Sequence, residues 1–368
     1  MRYEQLRQII LEKQQGIGAG IPVSREFPQL RRIIPSYNPG EQILLASGEG
    51  SGKTRMVIRL VIIECLKYML SNPNGMKARI FYNSLELSEF EVYLILLSYL
   101  FKAKLNKIYS RDVILNFLGE PSVNEEFFQD LEKIKPSIEF FNTWVTVVDN
   151  VKDIESWYKY CTKILHDMGE IKEGVYVKKN PNILPIFIAD TLNSFTVRTS
   201  TRQDTIKKYS ADYSKLYLRN FYQSCVIQVQ QMSKDSQSTM FSSAGKVVEE
   251  KFKPTSTALK DARDTPDDAN TVISLLNPEK FKLSKWEGFD LSVFRKRILF
   301  FYHLKTNFSE MIDPFAMYTN LGTLEIEEIP NPQAHPNLYE AFLKKHGIVN
   351  TKSKFTFNPE AQSDLFLE

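Results

Sequence analysis

Residues Ile43 to Thr54 constrain this chain more than any other stretch. Ile43-Leu44-Leu45-Ala46 is an apolar run of strand length, and Lys53-Thr54 opens a long apolar helix. Between them lies the small-residue turn Ser47-Gly48-Glu49-Gly50-Ser51-Gly52. A strand, a glycine-rich turn and a helix beginning Gly-Lys-Thr form the context of a phosphate-binding P-loop. Glycines let successive backbone N–H groups point inward around phosphate oxygens, and the helix N-terminus adds partial positive charge. Lys53 then reaches the β- and γ-phosphates, and the Thr54 hydroxyl is a ligand for Mg²⁺. Ser47 stands where the usual pattern begins with Gly. The stretch predicts a site for a nucleoside triphosphate, ATP with Mg²⁺.

At 368 residues and 43% apolar content, the chain can bury one large core or two small ones. Forty-seven Lys and Arg against 44 Asp and Glu are close to balance, so any nucleic-acid surface must be local. Cys65, Cys161 and Cys225 lie far apart with no Cys-x-x-Cys pair, and His166, His303, His335 and His346 complete no metal-ligand spacing. Reduced cysteines in a cytoplasmic protein are expected. The polar N-terminus does not read as a signal peptide. The apolar run Met56 to Leu70 is interrupted by Arg59, Glu64 and Lys67, which predicts a core helix and no membrane span.

Taken in order, residues 3–15 suit a short helix with an apolar side at Leu6, Ile9 and Ile10, docked on the core or on a neighbouring subunit. Gly16 to Gly20 makes a joint, and Ile21 to Gly40 wraps in front of the P-loop strand. Ala78 to Asn83 reads as a second strand followed by Ser84-Leu85-Glu86-Leu87-Ser88, then a helix to about Leu100. Residues 105–140 read as helical, broken at Pro121 and Pro136. Trp144 to Val148 is a third strand, 152–167 a helix, and Glu170 to Asn182 a polar loop. Ile183 to Asp190 is a fourth strand ending in a carboxylate placed to hold Mg²⁺ through water. After a helix over 203–222, Cys225 to Gln230 is the fifth strand and 233–257 a long polar loop. Strand-like pieces at 271–276, 297–303, 314–318 and 323–328 extend the sheet, partly antiparallel, and 337–346 is a final helix before a polar tail. Alternating strands and helices predict an α/β fold, a mainly parallel sheet with helices on both faces. The expected organisation is a linker helix over 1–20, one ATPase domain over 21–330 and a helix with a tail over 331–368.

These pieces resemble the RecA-fold ATPase domain of DnaB-type replicative helicases over about 20–328. Gly20-Ile21-Pro22 through Pro39-Gly40-Glu41 is similar to the family's lead-in to its P-loop. Ser84-Leu85-Glu86-Leu87 resembles the Ser-Leu-Glu-Met segment, which implies that Glu86 polarises the attacking water. Asp190 takes the Mg²⁺-side position, and Gln230-Gln231-Met232 resembles Ser-Gln-Leu, implying that Gln231 senses the γ-phosphate. Asp261-Ala262-Arg263 and Asp268-Ala269-Asn270 resemble the Asp-Leu-Arg and Asp-Ala-Asp pair. Lys305-Thr306-Asn307 sits where the family carries Lys-x-Arg. Asn307 thus replaces the family's arginine finger, a group worth ~10³–10⁵ in rate, and leaves Lys305 as the cation acting in trans. Arg295 and Arg297 are candidate substitutes.

The resemblance implies a ring, a hexamer, that threads single-stranded DNA during replication with nucleotide between subunits. By position, Arg198 and Arg202 after the Asp190 strand and Lys246 in the loop 233–257 are expected to contact the DNA backbone. A motor preceded only by a short helix suggests a phage or mobile-element protein of the bacterial cytoplasm, associated with the nucleoid. Gln362-Ser363-Asp364-Leu365-Phe366 resembles the terminal peptide by which bacterial replication proteins dock on the sliding clamp, with Gln362, Leu365 and Phe366 as anchors. The alternatives are an ATP-switched DNA-loading factor that hydrolyses slowly and a RecA-like recombination ATPase.

Overall fold

The computed structural model describes residues 3–348 apart from 15, 17, 110, 116–123, 198–200, 233–252, 260 and 282. Its centre is a nine-stranded sheet. In chain order the strands are β1 (Glu41–Ser47), β2 (Lys77–Ser84), β3 (Val145–Val148), β4 (Ile183–Asp190), β5 (Cys225–Gln231), β6 (Thr271–Leu276), β7 (Ile298–Thr306), β8 (Phe315–Asn320) and β9 (Glu325–Ile329). In space they run β9-β8-β7-β6-β1-β5-β4-β2-β3. The block from β6 to β3 is parallel throughout, and β7, β8 and β9 extend it, each antiparallel to the strand before it. The predicted α/β class and the antiparallel extension are both present.

Continuous apolar runs make this possible, because a parallel strand is covered on both faces. Every residue of β1 is buried, as are all but the first residue of β4. Successive residues face opposite layers. Ile80, Tyr82, Ile186 and Ile188 join one core, packed under the P-loop helix and the helices Glu89–Leu100 and Glu125–Trp144. Phe81, Phe187 and Ala189 join the other, which takes Trp157, Cys161 and Leu165 of helix Ile154–Met168 and Ile206, Tyr209 and Leu218 beyond β4. A third cluster, with Phe300, Tyr302, Phe342 and Leu343, seats the helix Pro336–Lys345 on the antiparallel strands. The three cysteines are buried thiols, and no described helix is long and apolar enough to cross a membrane.

Several expectations need correcting. Residues 170–182 are no loop throughout, because Gly169–Lys172 and Val175–Lys178 pair as an antiparallel hairpin. Its two-residue turn, Glu173 and Gly174, has φ of 50° and 78°, as a tight hairpin turn demands. Pro136 does not break its helix, which runs unbroken from Glu125 to Trp144. Pro136 and Glu132, the residue that loses its backbone donor, are exposed, so water takes the freed carbonyl. Pro121 and residues 233–252 of the expected long loop lie outside the described residues. The segment Ile21 to Gly40 contains a short strand pair, Ile21–Pro22 with Ser36–Tyr37, and the helix Pro28–Ile33. The first helix, Tyr3–Gln14, is present, but Leu6 and Ile10 remain about half exposed at 47% and 50%, so that side does not dock on this chain's own core.

Candidate active site

Strand order builds the site. Ser47 of β1 is level with Gln231 of β5, Val229 of β5 with Asp190 of β4, and Asp190 with Ser84 of β2. The carboxyl ends of four adjacent parallel strands therefore present the P-loop, Gln231, Asp190 and Glu86 along one edge. Ligands of open α/β sheets bind outside that edge.

The loop itself is tight. Gly50 and Gly52 have φ of 64° and 83°, and Gly52 caps the helix that starts at Lys53. A Cβ on Gly52 would fall 2.9 Å from Leu321 Cδ1, so this position combines a left-handed backbone with no room for a side chain. The helix continues from Lys53–Val57 through wider π-type turns at Ile58–Ile63 to Glu64–Ser71. Ser47 is buried and its hydroxyl donates to Gly48 O at 3.1 Å, while Ser51 is also buried. The Lys53 ammonium is buried and donates to Gly48 O at 3.0 Å. Burial lowers its pKa, and the charges of Asp190 and Glu86 oppose that. Phosphate oxygens would replace the Gly48 carbonyl as its acceptor.

Asp190 fits a Mg²⁺ role. Tyr82 donates its hydroxyl to Oδ2 at 2.8 Å, whereas Oδ1 is buried with no hydrogen-bond partner. Burial pushes the carboxyl up to about 6, partly opposed by the hydroxyls of Tyr82 and Thr54. A buried, half-satisfied carboxylate beside a threonine hydroxyl at a helix start suits a hard cation that keeps waters and takes phosphate oxygens as further ligands. Among the described residues there is no group of three His, Cys, Asp or Glu for a protein-only metal cage.

Glu86 lies just past β2, exposed at the edge. Its Oε1 accepts from Thr191 Oγ1 at 2.8 Å, Ser194 Oγ at 3.0 Å and Gln231 Nε2 at 3.3 Å. The two residues expected to orient water and to sense γ-phosphate are thus in direct contact. Asn193 ties this cluster together. Its Oδ1 accepts the Gln231 backbone N–H at 2.7 Å, its Nδ2 donates to Asp261 at 2.9 Å, and its carbonyl accepts from the Arg202 guanidinium. Lys152 donates to Leu85 O at 3.0 Å, fixing the turn that carries Glu86. Such an arrangement can bind a triphosphate, hold Mg²⁺ and direct a water at the terminal phosphorus.

Lys305 sits elsewhere. It pairs with Val272, which is level with Leu44, and Asn307 N–H donates to Asn270 O. Leu44 is midway along β1, but Asn270 and Val272 lie at the amino end of β6, the end remote from the P-loop. The Lys305 ammonium donates to the carbonyls of Pro266 at 2.8 Å and Asp267 at 3.2 Å. Arg297 donates to the Tyr318 hydroxyl at 3.0 Å, and Arg295 holds a left-handed φ of 46° in the preceding turn. Arg202, the first residue of its helix, is committed to Asn193. Arg198 and Lys246 lie outside the described residues, as do Gln362, Leu365 and Phe366. Tyr82, Thr191, Asn193 and Ser194 were not expected at the site. The run Asp190-Thr191-Leu192-Asn193-Ser194 held the only signal, polar residues directly after a buried strand.

By sequence the chain matches no protein-family model and no curated protein. Among solved structures it is similar to the ATPase domain of G40P, with a TM-score of 0.63 at 15% identity, covering 89% of this chain and 98% of that one. It is similar also to a DnaB-like replicative helicase described with its interactions with primase, with a TM-score of 0.60 at 16% identity, covering 89% of this chain and 66% of that one. A KaiC-like protein from the hyperthermophilic archaeon Pyrococcus horikoshii has a TM-score of 0.46 at 14% identity, covering 85% and 98%. The chain has the RecA-like fold of the ATPase domains of DnaB-like helicases.

Proposed function

We propose that this protein is an ATP-driven motor acting on single-stranded DNA in replication, a helicase or translocase of the DnaB type. The observation that carries the reading is the convergence of Lys53, Thr54, Asp190, Glu86 and Gln231 at one sheet edge of a RecA-like fold. Lys53 and the loop N–H groups bind the triphosphate, while Thr54 and Asp190 hold Mg²⁺. Glu86 orients the attacking water and Gln231 reads the γ-phosphate. In this reading the motor is a homo-oligomer, a hexameric ring with nucleotide between subunits, and Lys305, whose ammonium is held by Pro266 and Asp267 just before β6, serves a neighbour's site. Arg198, Arg202 and Lys246 contact the DNA backbone, and reversing all three charges lowers single-strand affinity and its salt slope. The tail residues Gln362, Leu365 and Phe366 dock on a sliding clamp in the bacterial cytoplasm, and truncation at Gln362 abolishes clamp pull-down. A phage or mobile-element origin belongs to the same reading.

A second reading is an ATP-switched loading factor that hydrolyses slowly. Asn307 in the finger position favours it, as does the engagement of Lys305 with two carbonyls of its own chain. Steady-state ATP hydrolysis with and without single-stranded DNA, beside Lys53→Ala and Glu86→Gln, decides between them. Strong DNA stimulation lost in both variants means a motor. Tight ATP and DNA binding with hydrolysis at the Glu86→Gln level means a switch. Rings against filaments in electron micrographs of the ATP-bound protein separate the motor from a recombination ATPase.

A further inference from the structure

A second lysine stands over the P-loop. β6 runs parallel to β1 and ends at Leu276, so the chain leaves the sheet at the same edge as the P-loop. The turn Pro278–Phe281 follows at once and carries Lys280. A Cβ built on Gly50 would lie 2.9 Å from Lys280 Nζ and 3.6 Å from its Cε. Gly50 is the middle glycine of the loop and has φ of 64°, so the absence of a side chain there leaves the space the ammonium fills. Burial lowers the pKa of both lysines, the charge of Lys280 adds to the effect on Lys53, and Glu49 opposes it at Lys280.

We propose that Lys280 is a second triphosphate-binding cation, supplied by the nucleotide's own subunit. The inference rests on the ATPase reading and deepens it. A loop whose N–H groups cradle the β- and γ-phosphates presents its apex to the bridging and terminal oxygens, where charge builds up as the γ-phosphoryl group departs. An ammonium over Gly50 meets those oxygens without moving the backbone. No proton is transferred, and Lys280 acts as a point charge, opposite in sign to the charge that develops. A finger in the same subunit is a known solution for P-loop enzymes, and here Asn307 supplies no cation from the usual strand.

The test uses the full chain, with displacement of a fluorescent ADP by ADP and by a non-hydrolysable ATP analogue, and steady-state hydrolysis of ATP. Lys280→Ala and Lys280→Gln should weaken the ATP analogue by about 10-fold or more, the scale of one charge-assisted hydrogen bond, with a smaller loss for ADP. The hydrolysis rate should fall further than the affinity, and Lys280→Arg should recover most of both. A control at the exposed Lys285, Lys285→Ala, should leave both unchanged. The inference is overturned if Lys280→Ala and Lys280→Gln keep the preference for ATP analogue over ADP and the rate within twofold of wild type. It is also overturned if Lys280→Ala weakens ADP and the ATP analogue equally, because the lysine would then only brace the loop. Failure of this inference alone leaves binding sensitive to Lys53→Ala. Wild-type protein that binds neither nucleotide refutes the ATPase reading with it.

Discussion

Replacing Asp190 by Asn should make the nucleotide-free protein more stable while removing its Mg²⁺ chemistry. Asp190 is 2% exposed, and burial raises its carboxyl from 3.8 to about 6 in spite of the Tyr82 and Thr54 hydroxyls and the Lys53 charge. A group whose pKa is raised on folding contributes stability that is complete below its unfolded value and is lost as pH rises through the folded one. Here the loss runs between 3.8 and about 6. At about 1.4 kcal/mol for each decade of proton affinity, the ionised carboxylate costs about 3 kcal/mol above that window. An Asn amide keeps the acceptor for Tyr82 and carries no charge to desolvate. In a chain of this size about 3 kcal/mol corresponds to a Tm about 5 °C higher. Melting curves at pH 8 and pH 5, without Mg²⁺ or nucleotide, are the assay. The variant should lead clearly at pH 8, and its advantage should fall to about half at pH 5, midway through that window. Adding Mg²⁺ and ATP at pH 8 should reverse the order once ligand reaches about 1,000 times Kd, where the wild type gains about 4.1 kcal/mol of binding energy. An Asn variant that is no more stable at pH 8, or equally more stable at both values, refutes the account of Asp190 as a carboxylate destabilised by burial.

Three further outcomes follow from the geometry. Glu86→Gln should keep ATP affinity and lower the hydrolysis rate by ~10²–10⁴, read by nucleotide binding beside phosphate release. Gly52→Ala meets both a φ of 83° and the Leu321 side chain, so nucleotide affinity and Tm should both fall, with a stability cost of about 1–3 kcal/mol in urea unfolding. Trp157→Ala empties a fully buried site and strips the Tyr209 hydroxyl of its indole N–H donor at 3.0 Å, which should cost about 3–5 kcal/mol and leave the ATP site's affinity unchanged once the protein is folded.

How much of this was legible in the chain depends on the range of the interaction. β1 and β4 announce themselves as apolar runs closed by Ser47 and Asp190, because strand burial writes itself locally. Glu86 and Gln231 could be picked out as polar residues just past, or closing, such strands. Their contact could not, since it depends on β5, β4 and β2 lying side by side although separated by long crossovers. The same holds for Lys280, which reaches Gly50 only because β6 adjoins β1. The hairpin 169–178 was hidden by its charged composition, and its Glu-Gly turn was the signal passed over. Pro136 misled in the opposite direction, because a proline is costly only where the lost backbone bond is buried.

The turn Thr191–Ser194 has a mechanical consequence. Asn193 grips the Gln231 backbone and Asp261 with its amide and the Arg202 guanidinium with its carbonyl, while Thr191 and Ser194 clamp Glu86. All but the Arg202 bond join parts of the chain far apart in sequence, so the turn has little slack. A pull on Gln231 would reach Arg202 through a single residue, and a pull on Arg202 would return towards Glu86 by the same route. Stiffness of this kind would carry a load in both directions, so whatever loads Arg202 would also shift the aim of the Glu86 carboxylate.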